Sequence, residues 1–255
     1  MDGNNLTFHD LESRMRALEN AREGELPENA YIIARLDGRG FSKLTNKHFS
    51  KPFDTEFHRL MVETMHHLLD YEPQIAFAYN QSDEISVLIP PGCAPFNRKA
   101  RKLLSLLAAA ASSKFSMLVG EAVCFDCRLN LQYDEEGVYN YFRWRSIDAE
   151  RNAFNARTYW LLRKQGVPAR AAAEQLRALS TREHKKLLAE HHTGADAHPT
   201  WQTRGCLLHR VEENRTGYNP ISAQPTTYTR RKIQESDYSD ELLGYLVEEA
   251  LRSAR

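Results

Sequence analysis

Three acidic residues stand where a chain changes direction. Asp37 follows the apolar run Tyr31-Ile32-Ile33-Ala34 and its continuation Arg35-Leu36, and Gly38 follows it. Asp83 and Glu84 sit in the polar stretch Asn80-Gln81-Ser82-Asp83-Glu84, between the apolar runs Ile75 to Tyr79 and Ile85 to Ile89. Short β-prone runs that end in a turn read as buried strands, and the second pair reads as a hairpin with a polar tip. Asp37 and Asp83 are 46 residues apart (83 − 37). If the first strand lies beside the hairpin, they converge on one sheet edge. Two carboxylates ~4 Å apart repel by ~4 kcal/mol at an effective dielectric of ~20. A hard divalent cation offsets that best, and magnesium takes carboxylate and carbonyl oxygens together with substrate phosphates. Asp37, the Gly38 carbonyl and Asp83 supply such a set, and two ions there activate an attacking hydroxyl and stabilise a leaving oxygen.

Phosphates need donors as well. Gly38-Arg39-Gly40-Phe41-Ser42 follows a strand and can present backbone N–H groups to a triphosphate. Lys51, just after that loop, and Lys99 with Lys102, three apart on a second helix, can neutralise phosphate oxygens.

Positioning these groups takes a fold of alternating elements. Asp54-Thr55 caps a helix whose apolar face is Phe57, Leu60, Met61, Met65 and Leu68. A second helix spans roughly Phe96 to Phe115, and Ala122 to Leu131 reads as another strand. The order β-α-β-β-α-β is that of ferredoxin-like domains and polymerase palms, an α+β class with helices covering one face of an antiparallel sheet. The second half is expected to be helical: Val138 to Gln165 as one or two helices, one opened by Pro168, one begun by the capping box Ser180-Thr181-Arg182-Glu183, and one over Leu242 to Leu251. Thr193 to Thr200 reads as a linker and Cys206 to Val211 as a short strand. A boundary near Glu135-Glu136-Gly137 divides a palm-like catalytic domain, 1–136, from a helix-rich region packed on it, 137–255.

Composition sets limits. The 255 residues carry 34 basic and 34 acidic side chains, so any nucleic-acid contact has to come from local patches such as Arg98-Lys99-Ala100-Arg101-Lys102 or Arg230-Arg231-Lys232. No uninterrupted apolar run approaches the ~20 residues that span a bilayer, and the polar start is no secretory signal, so no membrane and a cytoplasmic location are expected. Gly38-x-Gly40 lacks the third glycine of a dinucleotide-binding loop, whose place is taken by Lys43. Cys124 and Cys127, with Cys206 and His209, have the composition of a zinc set, but 124 and 127 on a strand face opposite ways, which favours thiols used as small hydrophobes. The pairs His66-His67 and His191-His192 read as surface histidines, and Trp144, Tyr159 and Trp160 as helix core.

Several motifs together resemble the tRNA-His guanylyltransferase family: Arg35-Leu36-Asp37-Gly38-Arg39-Gly40-Phe41, Lys51-Pro52-Phe53-Asp54, Ala78-Tyr79-Asn80-Gln81-Ser82-Asp83-Glu84-Ile85-Ser86, Phe125-Asp126-Cys127-Arg128, Tyr141-Phe142-Arg143-Trp144-Arg145 and Asp148. The resemblance covers roughly residues 28 to 235. It implies a palm related to that of 5′-to-3′ polymerases and diguanylate cyclases. Asp37, Gly38 and Asp83 would hold two magnesium ions, with Glu84 as a third catalytic acid. Arg39, Gly40, Phe41, Lys51, Asp54, Ser82, Lys99 and Lys102 would contact the nucleotides. Arg128, Arg145, Asn152 and Arg230 are the candidate tRNA contacts. The implied reaction activates a tRNA 5′-monophosphate with ATP, after which the 3′-hydroxyl of an incoming nucleotide, usually GTP, attacks and releases AMP; a 5′-triphosphate end skips the activation. A homotetramer is implied. Where eukaryotic members read His-Ile-Asn-Asn, this chain reads Glu150-Arg151-Asn152-Ala153, and Cys127 replaces a glycine. Such departures resemble the bacterial and archaeal "like proteins" of the family, which implies templated 3′-to-5′ repair of truncated tRNA. The competing expectations are a non-catalytic tRNA- or nucleotide-binding module on a retained palm, and a nucleotide cyclase, since fold alone does not separate the chemistries.

Overall fold

The computed structural model describes residues 7–21, 24–177, 179–191, 198–219 and 224–252. The elements, in order, are α1 (Phe8–Asn20), β1 (Tyr31–Gly38), α2 (Phe41–His48), α3 (Thr55–Tyr71), β2 (Phe77–Gln81), β3 (Glu84–Ile89), α4 (Ala100–Val119), β4 (Phe125–Gln132), α5 (Glu135–Lys164), α6 (Ala169–Leu176), α7 (Thr181–Glu190), α8 (Thr200–Thr203), β5 (Cys206–Asn219), β6 (Gln224–Asp237) and α9 (Asp240–Arg252). A 3₁₀ turn, Pro95–Arg98, precedes α4. The α+β palm order is present, and the six strands form one antiparallel sheet in the order β4-β1-β3-β2-β5-β6.

The sheet is covered on both faces rather than one. Ile32, Ala34, Leu36, Ile85 and Val87 pack with Leu60, Met61, Met65, Leu103, Leu107 and Phe115 of α3 and α4. The alternate residues Tyr31, Ile33, Phe77, Tyr79 and Leu88 pack with Val138 and Phe142 of α5 and Leu243, Leu246 and Val247 of α9. Successive side chains on a strand point to opposite faces, so near-continuous apolar runs mark strands covered twice. The helices of the second half supply the second cover. Among the described helices, α4 in the first half is long and apolar enough, by length and composition, to cross a bilayer, although no uninterrupted run suggests it. It lies against the sheet with Leu103, Leu107, Ala110, Ala111 and Phe115 buried, as a core helix does.

The second half also extends the sheet. β5 runs for 14 residues, well beyond the expected Val211, and pairs with β6 from Cys206↔Asp237 to Asn219↔Gln224. Only Cys206 to His209 also pair with β2, so the remainder projects as a two-stranded ribbon. Trp144 is 53% exposed, and Tyr159 and Trp160 are half-buried, so these aromatics are not core. His66 and His67 lie in α3, half-buried rather than free on the surface, and His191 caps α7; His192 and the 193–197 linker lie outside the described residues.

Candidate active site

The end of β1 and the turn between β2 and β3 build one corner of the sheet. Asp37 lies opposite Glu84 in the β1–β3 register, and the Gly38 N–H donates to the Asp83 carbonyl at 3.1 Å. Asn80 locks the turn from behind, its Nδ2 donating to the carbonyls of Ser82 at 3.1 Å and Glu84 at 2.9 Å. Ser82 takes the left-handed region at φ 50°, which a two-residue hairpin turn requires. The polar tip therefore shrinks to Ser82-Asp83, with Glu84 already in the strand. Gly38 has to be glycine for a packing reason: a Cβ there would come 2.5 Å from the Phe41 ring. That ring is buried among Phe57, Phe115 and Phe125, so Phe41 anchors the loop from below, and only its backbone can serve a ligand. Gly40, at φ 75°, turns the chain into α2.

The three acids have different surroundings. Glu84 is buried and held by Arg145 in a two-pronged pair at 2.7 and 2.9 Å, with Arg35 at 3.7 Å. Burial pushes its carboxyl up, and the two guanidiniums pull it back. Arg145, itself buried, is thereby an internal counter-ion and not a surface contact for tRNA. Among the described residues no lysine, arginine or histidine nitrogen lies within 4.0 Å of Asp37 or Asp83. Burial, and then the neighbouring Asp37 carboxylate, push the Asp83 carboxyl above its ordinary range. Two carboxylates that repel, without a cationic side chain paired to either, beside the Gly38 backbone that donates to the Asp83 carbonyl, offer oxygen donors that fit a hard divalent cation. Lys51 stands nearby: it donates to Thr45 Oγ1 at 2.6 Å, burial lowers its pKa, and Asp83 raises it back.

Two cavities meet at this corner. One, of about 570 Å³, is lined by Ser42, Thr45, Asn46, Lys51, Ser82 and Asp83. The other, of about 210 Å³, runs between Phe49, Phe53, Asn80, Ala153 and Trp201, and shares Thr45, Lys51, Pro52 and Ser82 with the first. A polar chamber joined to a partly apolar one suits a charged tail attached to a flat ring system.

Other expected contacts are less direct or fall elsewhere. Asp54 lines the smaller cavity, but its carboxylate caps α3, accepting from Glu56 and Phe57 N–H at 2.8 and 3.0 Å and from Ser50 N–H at 2.8 Å. Lys99 and Lys102 sit at the N-terminal end of α4, while the C-terminal end approaches the loop, where Ser112 Oγ accepts from Phe125 N–H. A 20-residue helix is ~30 Å long, so these lysines stand at the opposite end of the sheet from Lys51. Arg128 is exposed on edge strand β4 and Arg230 is exposed on the ribbon. Arg39 is exposed beside Gly40. Asn152 donates to Asp148 at 3.2 Å and lines the smaller cavity. The cysteine set does not assemble: Cys127 pairs with Leu36 at one edge of the sheet, and three strands separate it from Cys206. Sequence reading missed the locking role of Asn80 and the pairing of Arg145 with Glu84. A buried glutamate inside an apolar strand was the one available signal that a cation must come from somewhere.

Comparison with known proteins bears on this corner. The family model described as tRNAHis guanylyltransferase matches residues 12–136, and the one described as Thg1 C terminal domain matches residues 136–242. The chain belongs to the tRNAHis guanylyltransferase family. Members of this family are nucleotidyltransferases. Relatives include the tRNA(His) guanylyltransferases of Debaryomyces hansenii, 29% identical over 66% of this chain and 68% of that protein, and of Neurospora crassa, 30% identical over 61% and 59%. The chain thus spans from 59% to 68% of these relatives' lengths. A bacterial tRNA(HIS) guanylyltransferase (Thg1)-like protein in complex with ATP superposes with a TM-score of 0.68 at 29% identity, over 78% of this chain and 87% of that one. A structure of a bacterial protein of that description with GTP superposes with a TM-score of 0.68 at 25% identity, over 93% and 98%.

Proposed function

We propose that this family member is a magnesium-dependent 3′-to-5′ nucleotidyltransferase that repairs the 5′ ends of truncated tRNA by templated addition, preferring GTP. The observation that carries it is the corner where the Asp37 carboxylate pushes up the Asp83 carboxyl, with no cationic nitrogen of the described residues within 4.0 Å of either, beside the cavity that Lys51 and Asp83 line. Asp37, Asp83 and the Gly38 carbonyl would hold two magnesium ions, which supply charge neutralisation and a more acidic attacking hydroxyl. The chain does the rest. The loop Gly38–Ser42, Lys51 and Ser82 bind the triphosphate, and the smaller cavity takes the base. ATP would activate a 5′-monophosphate, and the 3′-hydroxyl of the incoming nucleotide would then displace AMP; a 5′-triphosphate end would lose pyrophosphate instead. Glu84 supports this indirectly, by fixing β3 through Arg145. The ATP and GTP complexes of the bacterial like proteins support the nucleotide part of the reading.

Support for repair over tRNA-His specificity comes from α5. Where eukaryotic members carry His-Ile-Asn-Asn, Glu150 binds Lys185 of α7 at 2.7 Å, Arg151 binds Asp148 at 2.6 Å, and Ala153 is buried. Glu150 and Arg151 are spent on pairs with neighbouring helical residues, while Asn152 and Ala153 line the smaller cavity. We also propose a cytoplasmic, tetrameric enzyme. The deciding assay supplies 5′-triphosphorylated, 5′-truncated tRNA with GTP and magnesium to the protein and its Asp37→Ala and Asp83→Ala variants. Wild-type extension, lost in both variants and in chelator, is expected. Undiminished extension by either variant would remove the metal role, and nucleotide addition independent of the template strand would remove the repair reading.

A further inference from the structure

Three side chains of different chemistry meet where α3 crosses the far strands of the sheet. His58 stands in the first turn of α3, Cys206 opens β5, and Glu235 lies near the end of β6. The His58 ring nitrogen, the Cys206 sulfur and a Glu235 carboxylate oxygen all lie within 4.8 Å of one another. His58 Nε2 and Glu235 Oε1 are 2.9 Å apart. The strand register explains the meeting. Leu208 lies opposite Glu235 across the β5–β6 pair, and Cys206 lies opposite Asp237. Residues opposite each other in an antiparallel pair point to one side of the sheet, as do residues two apart on a strand. Glu235 and Cys206 therefore share the α3 face with Leu208, which is buried there. His209 points to the other face, where it meets Ser236 at 3.1 Å, so it cannot join Cys206.

A buried thiol alone packs as a small hydrophobe, and a histidine–glutamate pair alone is an ordinary contact. Their coincidence needs more. Cys206 is 1% exposed, yet its sulfur lies against the Glu235 carboxylate, and Asp237 adds a second negative charge nearby. The His58 ring is already oriented: Trp201 stacks on it with centroids 4.2 Å apart and planes 11° from parallel. A tetrahedral zinc ion takes sulfur at ~2.3 Å and nitrogen or oxygen at ~2.0–2.2 Å, which sets neighbouring ligand atoms ~3.3–3.7 Å apart. Side-chain shifts of about 1 Å close the set around such an ion. Thiolate and imidazole are ligands that suit zinc, whereas magnesium takes oxygen alone.

We infer that His58, Cys206 and Glu235 form a zinc site that ties α3 to β5 and β6, with water in the fourth position. On binding, the Cys206 thiol gives its proton to solvent and the sulfur ligates as thiolate. α3 belongs to the first half of the chain and both strands to the second, so the ion joins segments that the sequence keeps far apart. Cys206 also pairs with Asn80 of β2, the residue that locks the acidic turn, so the tie ends beside that lock. The site uses other residues and other ligand chemistry than the Asp37–Asp83 corner, and it stands whatever reaction that corner performs.

The full-length protein, stripped of metal by a chelator and then freed of it, is titrated with Co2+ as the probe. A sulfur-to-cobalt charge-transfer band in the near ultraviolet, with the visible absorption of tetrahedral cobalt, is expected to saturate at equimolar metal. Zinc should displace the cobalt and magnesium should not. Replacing Cys124 and Cys127 together by serine should leave the band intact, and Cys206→Ser should abolish it. Glu235→Gln changes an exposed side chain and should weaken zinc binding at least about tenfold, since disturbing even an outer partner of a metal ligand costs ~10–100-fold. Zinc should raise the melting temperature of the parent and not of Cys206→Ser, because a ligand stabilises only the state that binds it. Where Cys206→Ser does not fold, the zinc affinities of Glu235→Gln and His58→Gln decide. A parent without the charge-transfer band, or zinc affinity unchanged in Glu235→Gln, overturns the site and leaves a histidine–glutamate pair beside a buried thiol. A band lost with Cys124 and Cys127 but kept in Cys206→Ser overturns it as well.

Discussion

Asp83 shows how a single residue can hold function and stability in opposition. Its carboxyl is pushed up by burial and by Asp37. A carboxyl with a raised folded-state pKa favours the fold when protonated. That contribution is complete below the ordinary value of 3.8 and is lost as pH rises through the raised value. Wherever Asp83 is ionised, the burial and the Asp37 charge that raise its pKa therefore cost stability, as functional sites often do. Asp83→Asn is expected to raise neutral-pH stability by roughly 1 kcal/mol in urea unfolding while abolishing activity. The gain should shrink as the buffer is acidified towards the ordinary carboxylate range. Magnesium should raise the melting temperature of the parent and not of the variant, because a ligand stabilises only the state that binds it. Glu84 makes the contrasting case. Arg145→Ala strips a buried carboxylate of its main partner and is expected to cost ~3–5 kcal/mol, and adding Glu84→Gln should recover part of it. Asp37, Asp83 and their turn positions were legible in the sequence because the apolar runs end there. The division of labour between Asp83 and Glu84 was not, because Arg145 lies 61 residues further on and no local pattern pairs them.

At the level of elements, the corner depends on the Gly38-to-α2 turn and on α3. Gly38→Ala drives a methyl group into the Phe41 ring, which Phe57, Phe115 and Phe125 hold in place. Overpacking of this kind costs ~1–3 kcal/mol, and here it also displaces the residue 38 backbone whose N–H holds the Asp83 carbonyl, so activity should fall far more than stability. Comparing kcat/KM with the unfolding midpoint of the variant checks that. Asp54 tests the opposite assignment. Its carboxylate caps α3, so Asp54→Ala should lose ~1–2 kcal/mol, and Asp54→Asn should restore most of it. Were Asp54 a nucleotide contact instead, the asparagine variant would keep stability and lose GTP affinity. Helix positions were legible from their apolar stripes and caps: the capping motif at Asp54 was visible before its side chain was. What spacing could not give was the end of α4 at which Lys99 and Lys102 lie, because a helix face says which residues are neighbours and nothing about where the helix points.

The whole molecule raises the question of whether residues 1–136 form a unit by themselves. The order of elements in that stretch was legible, and it suggested a sheet with one covered face. The far face became clear only once α5 and α9 were seen to lie on it, and nothing local in Tyr31, Ile33, Phe77, Tyr79 or Leu88 says which distant segment covers them. Burying a large apolar side chain contributes ~1.5–3 kcal/mol, so exposing these five costs roughly 8–15 kcal/mol as an upper estimate. That equals the entire ~5–15 kcal/mol stability of an ordinary domain. Glu84 would lose Arg145 at the same time, leaving a charge inside the sheet. The catalytic corner and its helical cover are accordingly one folding unit with two sequence halves. A fragment ending at residue 136 is expected to bind hydrophobic dye and melt without a cooperative transition. Supplying residues 137–255 as a second polypeptide should restore a cooperative melt and, with it, GTP binding. A fragment that unfolds sharply at the melting temperature of the intact chain would show instead that α3 and α4 suffice to hold the sheet, and that the second half is an added module.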